Sequence, residues 1–159
     1  MAEKKGEGMM FRIRKLIHFE MAHRLASSWS KPCQRLHGHS YVAEIILDGS
    51  TLNEDGMVLD FGALKEILQS ILAVVDHRTL LKKNDPLIKA FGQDEVVEVP
   101  YNPTAENMAK DFCQNIMSRV YELDNISAVT VRLHETATGW AEYSITKQEF
   151  EKLIEEAKK

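Results

Sequence analysis

At 159 residues the chain is long enough for one domain with a substantial core, and its 44% hydrophobic and 28% charged residues match an ordinary soluble globular protein. A net charge of −4 and a pI near 5.9 leave no basic footprint for broad nucleic-acid binding. No apolar run approaches the roughly 20 residues that cross a bilayer. The two cysteines, Cys33 and Cys113, stand in unlike surroundings, so no disulfide framework is expected and a reducing cytoplasm is the expected location.

Residues 1–8 lack the apolar core of a signal peptide and read as a disordered tail; 9–159 read as a single domain. Met9 to Glu20 favours a strand by its β-branched and aromatic content, and an apparent change of parity near Lys15 and Leu16 predicts a bulge. The strand runs into Met21 to Leu25, and a polar loop from Ala26 to Pro32 follows. His37 to Leu47 is a second strand, with Tyr41, Ala43, Ile45 and Leu47 on one face. Turn signals at Asp48-Gly49 and Asn53 to Gly56 lead to a helix. Phe61, Leu64, Ile67, Leu68, Ile71, Leu72 and Val75 form its apolar stripe, Asp60 is its N-cap, and it ends near Asp76-His77.

Lys82 to Asp85 reads as a loop and Glu95 to Val99 as a short strand. Thr104 caps a second long helix, with Asn107 at the capping-box position and Ala105, Met108, Ala109, Phe112, Ile116 and Val120 along one face. Ile126 to Glu135 and Trp140 to Ile145 are two further strands about a Thr138-Gly139 turn, and Glu149 to Lys158 is a charged terminal helix. Strand, strand, helix, helix, strand, strand implies an α+β fold: an antiparallel sheet with two long helices on one face.

His23, His37 and His39 supply three imidazoles from two adjacent strands. His37 and His39, flanking Gly38, point to one face. Three neutral nitrogens and one open position are the usual catalytic zinc arrangement; a histidine taken singly reads first as an ordinary half-buried or surface side chain, and only the three together, with His-Gly-His among them, bring the two readings level. Cys33 has three readings: a fourth ligand closing a structural zinc site, a reactive thiol, or a small hydrophobe. Asp76-His77 reads as a proton-relay pair or, more simply, as a helix C-terminus with a favourable histidine. Glu135 could grip a guanidinium-like ligand edge or mark an exposed strand end. Glu106 by itself is a first-turn helix acid.

Together the segments Phe19 to Leu25, Cys33-x-x-x-His37-Gly38-His39, Gly56 to Phe61, Asp76-His77, Asn102 to Asn107 and Glu135-Thr136 resemble, in order, the 6-pyruvoyl-tetrahydropterin synthase family. The resemblance is greatest to its 6-carboxytetrahydropterin synthase branch of queuosine biosynthesis. It implies a tunnelling fold: a four-stranded antiparallel sheet carrying two helices, assembled as homo-oligomeric trimers or hexamers. It further implies that His23, His37 and His39 bind Zn²⁺, that Cys33 accepts a proton, and that Asp76 and His77 form its relay across a subunit interface. Glu135, assisted by Thr104 and Glu106, would hold the pterin ring. The implied partner is a small molecule, 7,8-dihydroneopterin triphosphate, with no nucleic acid and no membrane. The implied reaction is that of a carbon–carbon lyase yielding 6-carboxytetrahydropterin, acetaldehyde and triphosphate. Arg24, Lys31 and Arg35 are candidate triphosphate contacts. The three-residue gap between Cys33 and His37 favours this branch over pyruvoyl-tetrahydropterin synthase, the enzymatic alternative. A non-catalytic zinc- or pterin-binding protein is the other.

Overall fold

The structure, a computed structural model, describes residues 10–159; the tail expected over 1–8 lies outside the described residues. Its frame is one sheet of β1 (Phe11–His23), β2 (His37–Gly49), β3 (Arg78–Lys82), β4 (Val96–Val99), β5 (Ile126–His134) and β6 (Trp140–Thr146), in the order β4-β3-β1-β2-β5-β6. The four expected antiparallel strands are β1, β2, β5 and β6. A four-stranded sheet is nevertheless two strands short, because β3 and β4 add in parallel beyond β1. Only Met21, Ala22 and His23 of β1 pair with β3. Thr79, Leu80 and Leu81 are all buried, and so short an apolar run carries no alternation by which a strand is read.

β1 is also simpler than its sequence suggests. It pairs with β2 without a register shift from Phe11–Gly49 to His23–His37, so the predicted bulge is absent. Phe11, Ile13, Lys15, Ile17, Phe19, Met21 and His23 keep one parity throughout, and Leu16 stands on the opposite face, exposed.

Four helices complete the fold: α1 (Lys31–Gln34), α2 (Phe61–Leu72), α3 (Ala105–Val120) and α4 (Lys147–Ala157). α1 begins at the end of the expected loop Ala26 to Pro32 and runs on past it, with Pro32 in its first turn, where a missing N–H costs nothing. Asp60 caps α2 by accepting from the Gly62 and Ala63 N–H groups. Thr104 caps α3 by accepting from the Asn107 N–H, but the Asn107 side chain donates to the Asn102 carbonyl instead of completing a capping box. Leu64 and Leu68 of α2 and Met108, Phe112 and Ile116 of α3 bury against Phe19, Tyr41, Ile45 and Leu133 of the sheet. Each such side chain contributes about 1.5–3 kcal/mol. Among the described residues no helix is long and apolar enough to cross a membrane.

Directly after His23, Arg24 grips Asp85 with two guanidinium nitrogens, Nε at 2.8 Å from Oδ2. Asp85 also accepts from the Leu87 N–H at 2.9 Å, capping the short 3-10 turn Pro86–Ala90. Its side chain is 4% exposed, and the Arg24 hydrogen bond holds its carboxyl below the usual aspartate range against the cost of burial. Asp85→Ala is expected to cost about 2–3 kcal/mol at pH 7, read from urea unfolding. Because the native carboxyl is the stronger acid, that contribution is complete above the unfolded value near 4 and fades as pH falls through the depressed native one. The difference between wild type and variant should therefore shrink in acid.

Candidate metal centre and active site

The register of β1 on β2 builds the site. His23 and His37 are direct cross-strand partners, so their side chains leave the same face of the sheet, and His39 follows two residues on. Ring centroids of the three lie 4.6, 4.9 and 5.2 Å apart. One nitrogen from each falls within 4.8 Å of the others. Ligands about a tetrahedral zinc with bonds of 2.0–2.1 Å stand roughly 3.3–3.4 Å apart, a spacing that small ring movements would reach.

Two backbone carbonyls set which nitrogen faces inward. The Nδ1 of His23 lies 2.7 Å from the Pro103 oxygen and that of His37 2.8 Å from the Arg35 oxygen. A carbonyl can only accept, so each Nδ1 carries the proton and each Nε2 presents a lone pair. The same outer bond orients histidines in metal centres. The third ring is the more telling. His39 Nε2 is buried with no hydrogen-bond partner, a cost that a bound cation would remove. Burial, outweighing the nearby Glu135, pushes the His23 and His39 imidazoles below the ordinary histidine range, which keeps them in the neutral, ligating form.

Cys33 is outside this group, so the structural-site reading with a cysteine as fourth ligand has no geometric support. It occupies α1, in the segment joining His23 to His37, and its carbonyl accepts from the Leu25 N–H at 2.8 Å, closing that loop. Glu135 stands at the mouth of the cage, its Oε1 3.4 Å from His23 Nε2 and 3.8 Å from His39 Nε2. Its backbone N–H, and that of Thr136, donate to the Gly139 carbonyl in the β5–β6 turn. Gly38 is not sterically required by the neighbouring strand, since a Cβ there would meet the Met21 carbonyl at an ordinary 3.4 Å.

Asp76 and His77 form the expected pair, Oδ1 to Nδ1 at 2.9 Å. They are clipped to the edge of β1: the Glu20 N–H donates to Asp76 Oδ1, and the His77 N–H donates to the Glu20 carbonyl. His77 takes a left-handed φ of 58°, uncommon for a residue with a Cβ. His77 borders a hollow of about 360 Å³ whose lining includes Glu20, Ala22, Ser40 and the cage residue His39. Glu20, Ala22 and Ser40 have the parity opposite to that of the cage, and among the described residues no hydrogen bond or ion pair joins His77 to Cys33. Thr104 is engaged as a helix cap and Glu106 is exposed in the first turn; neither bonds Glu135. Arg24 is committed to Asp85 and is no free triphosphate contact, whereas Lys31 and Arg35 are exposed.

Two contributions escaped the sequence reading. The Pro103 and Arg35 carbonyls left no signal, because a backbone acceptor is indifferent to side chain. Tyr41, fully buried beside the cage with its hydroxyl 3.4 Å from His23 Nε2, was legible by parity but read as core. Burial, with Glu135 beside it, raises its phenol pKa and keeps it a donor.

A family model described as 6-pyruvoyl tetrahydropterin synthase matches residues 12–146. A 6-carboxy-5,6,7,8-tetrahydropterin synthase of Aquifex aeolicus is 34% identical, the match covering 85% of this chain and 98% of that protein. The enzyme of the same name from Haemophilus influenzae is 34% identical over 84% and 99%. Among solved structures, a catalytic-residue mutant of Plasmodium vivax 6-pyruvoyltetrahydropterin synthase superposes with a TM-score of 0.73 at 17% identity, covering 87% of this chain and 99% of that one. At that identity the likeness speaks for the fold alone.

Proposed function

The chain belongs to the 6-pyruvoyl tetrahydropterin synthase family, and on that footing we propose that it is a zinc-dependent 6-carboxytetrahydropterin synthase. It would act on 7,8-dihydroneopterin triphosphate and one water in the cytoplasm, in queuosine biosynthesis, releasing 6-carboxytetrahydropterin, acetaldehyde and triphosphate. The observation that carries this reading is the cage of His23, His37 and His39 with Glu135 at its mouth and Cys33 outside it. The relatives' names point to the same product.

In this reading the three Nε2 atoms hold zinc, which when bound supplies Lewis acidity toward the hydroxyls of the substrate side chain. Glu135 accepts two N–H groups from the pterin edge and so fixes the ring, with Thr104 and Glu106 at the start of α3 completing the rim. Cys33 takes the proton from the side-chain carbon. His77, oriented by Asp76, carries the proton onward. Lys31 and Arg35 face the triphosphate.

Among the described residues no hydrogen bond joins His77 to Cys33 of its own chain, which supports a relay reaching Cys33 of a second copy. The outer edge of β6 and the part of β1 not covered by β3 carry unpaired ladder groups, sites where further copies can join. Both features support a closed homo-oligomer, a trimer or a hexamer. Incubation of the zinc-loaded protein with 7,8-dihydroneopterin triphosphate should release acetaldehyde in step with substrate loss. Turnover without acetaldehyde would transfer the assignment to a pyruvoyl-forming synthase, and no turnover to a binding protein.

A further inference from the structure

Tyr41 has no exposed surface. It stacks on Phe19 at 5.1 Å and meets the rings of His39 and His23 edge-on at 5.5 and 6.1 Å. By pattern it is a core aromatic, yet its hydroxyl ends among the cage nitrogens. Among the described residues that hydroxyl has one hydrogen-bond partner, His23 Nε2, at 3.4 Å, the long limit for such a bond. His23 Nδ1 already donates to Pro103, so Nε2 is the acceptor and Tyr41 the donor.

The same lone pair belongs to the metal in the reading above. Once Nε2 is engaged as a ligand, a phenol shut off from solvent needs another acceptor. One is at hand. Val42 pairs with His134 across β2 and β5, so the next step of the ladder sets Glu135 beside Tyr41, and Glu135 Oε1 lies 3.4 Å from the same Nε2.

We propose that Tyr41 is a positioning residue: with His23 engaged as a ligand, its hydroxyl donates to the Glu135 carboxylate and fixes the plane in which that carboxylate receives the two N–H donors of the pterin edge. Glu135 is otherwise one-third exposed, so the buried donor supplies an anchor that the solvent side cannot. This inference rests on the pterin reading and deepens it.

The test is a double-mutant cycle on the zinc-loaded protein, with neopterin as the fluorescent probe and zinc content measured alongside. Tyr41→Phe should keep wild-type zinc and fold, weaken neopterin about tenfold, and raise KM more than it lowers kcat. In a Glu135→Gln background the same substitution should change binding by less than about twofold, because the partner it orients is gone. Wild-type affinity in Tyr41→Phe would overturn the proposal, as would an equal loss in both backgrounds. Failure of the wild-type protein to bind neopterin would instead overturn the pterin reading, on which this one stands.

Discussion

His39→Ala should strip the protein of metal while leaving it folded. The two outcomes separate because of how this histidine is held. Its Nε2 is buried without a partner, and its side chain is one-fifth exposed, so alanine removes an unsatisfied polar atom and opens little core. His23→Ala would be a poorer probe: that ring is 1% exposed and bonded to Pro103, so its loss mixes cavity cost with ligand loss. Two imidazoles do not make a zinc site. Changes in the outer shell of metal centres already cost 10–100-fold in affinity, so loss of a ligand is expected to exceed about 100-fold. After dialysis, elemental analysis should find one zinc per wild-type chain and almost none in the variant, with turnover at background and urea unfolding of the metal-free forms nearly unchanged. Wild-type zinc content in His39→Ala would mean that the metal, if any, is held elsewhere.

The residues that fell into place from sequence were those whose signal is local. His37 and His39 share a face by strand parity, and their meeting with His23 needed only the assumption that β1 and β2 are neighbours, which the register makes a direct His23–His37 pair. Asp60 and Thr104 were legible as caps because a cap depends on the next three residues. What stayed hidden depends on the third dimension. Arg78 to Lys82 becomes a strand because Met21 to His23 on one side and Val96 to Val99 on the other offer it parallel edges. Arg24 looked like a free cation until Asp85, distant in sequence, closed on it. The place of His77, at the β1 edge beside Glu20, follows from β3 docking on β1, and no periodicity announces it.

That placement gives Cys33 the second large expected effect. Cys33 lies outside the histidine group, so in the proposed reading Cys33→Ala should retain full zinc, in contrast to His39→Ala, yet lose roughly 10²–10⁴ in kcat, the contribution of a positioned proton acceptor. His77→Ala should behave alike, since the two are proposed as successive carriers of one proton. Their separation within a chain turns this pairing into a sharper experiment. If Cys33 of one copy works with His77 of another, mixing Cys33→Ala chains with His77→Ala chains and allowing subunits to exchange creates some sites with both residues intact. In an equal random mixture about one interface in four is of that kind, so activity should recover toward about a quarter of wild type from two nearly inactive proteins. The recovery must depend on exchange and vanish when the oligomers are mixed without it. No recovery despite demonstrated exchange would place Cys33 and His77 in the same chain's site and would require the loop from Arg24 to Leu36 to move toward the β1 edge. Loss of zinc in Cys33→Ala would instead return the cysteine to the metal and make the centre a closed, structural one.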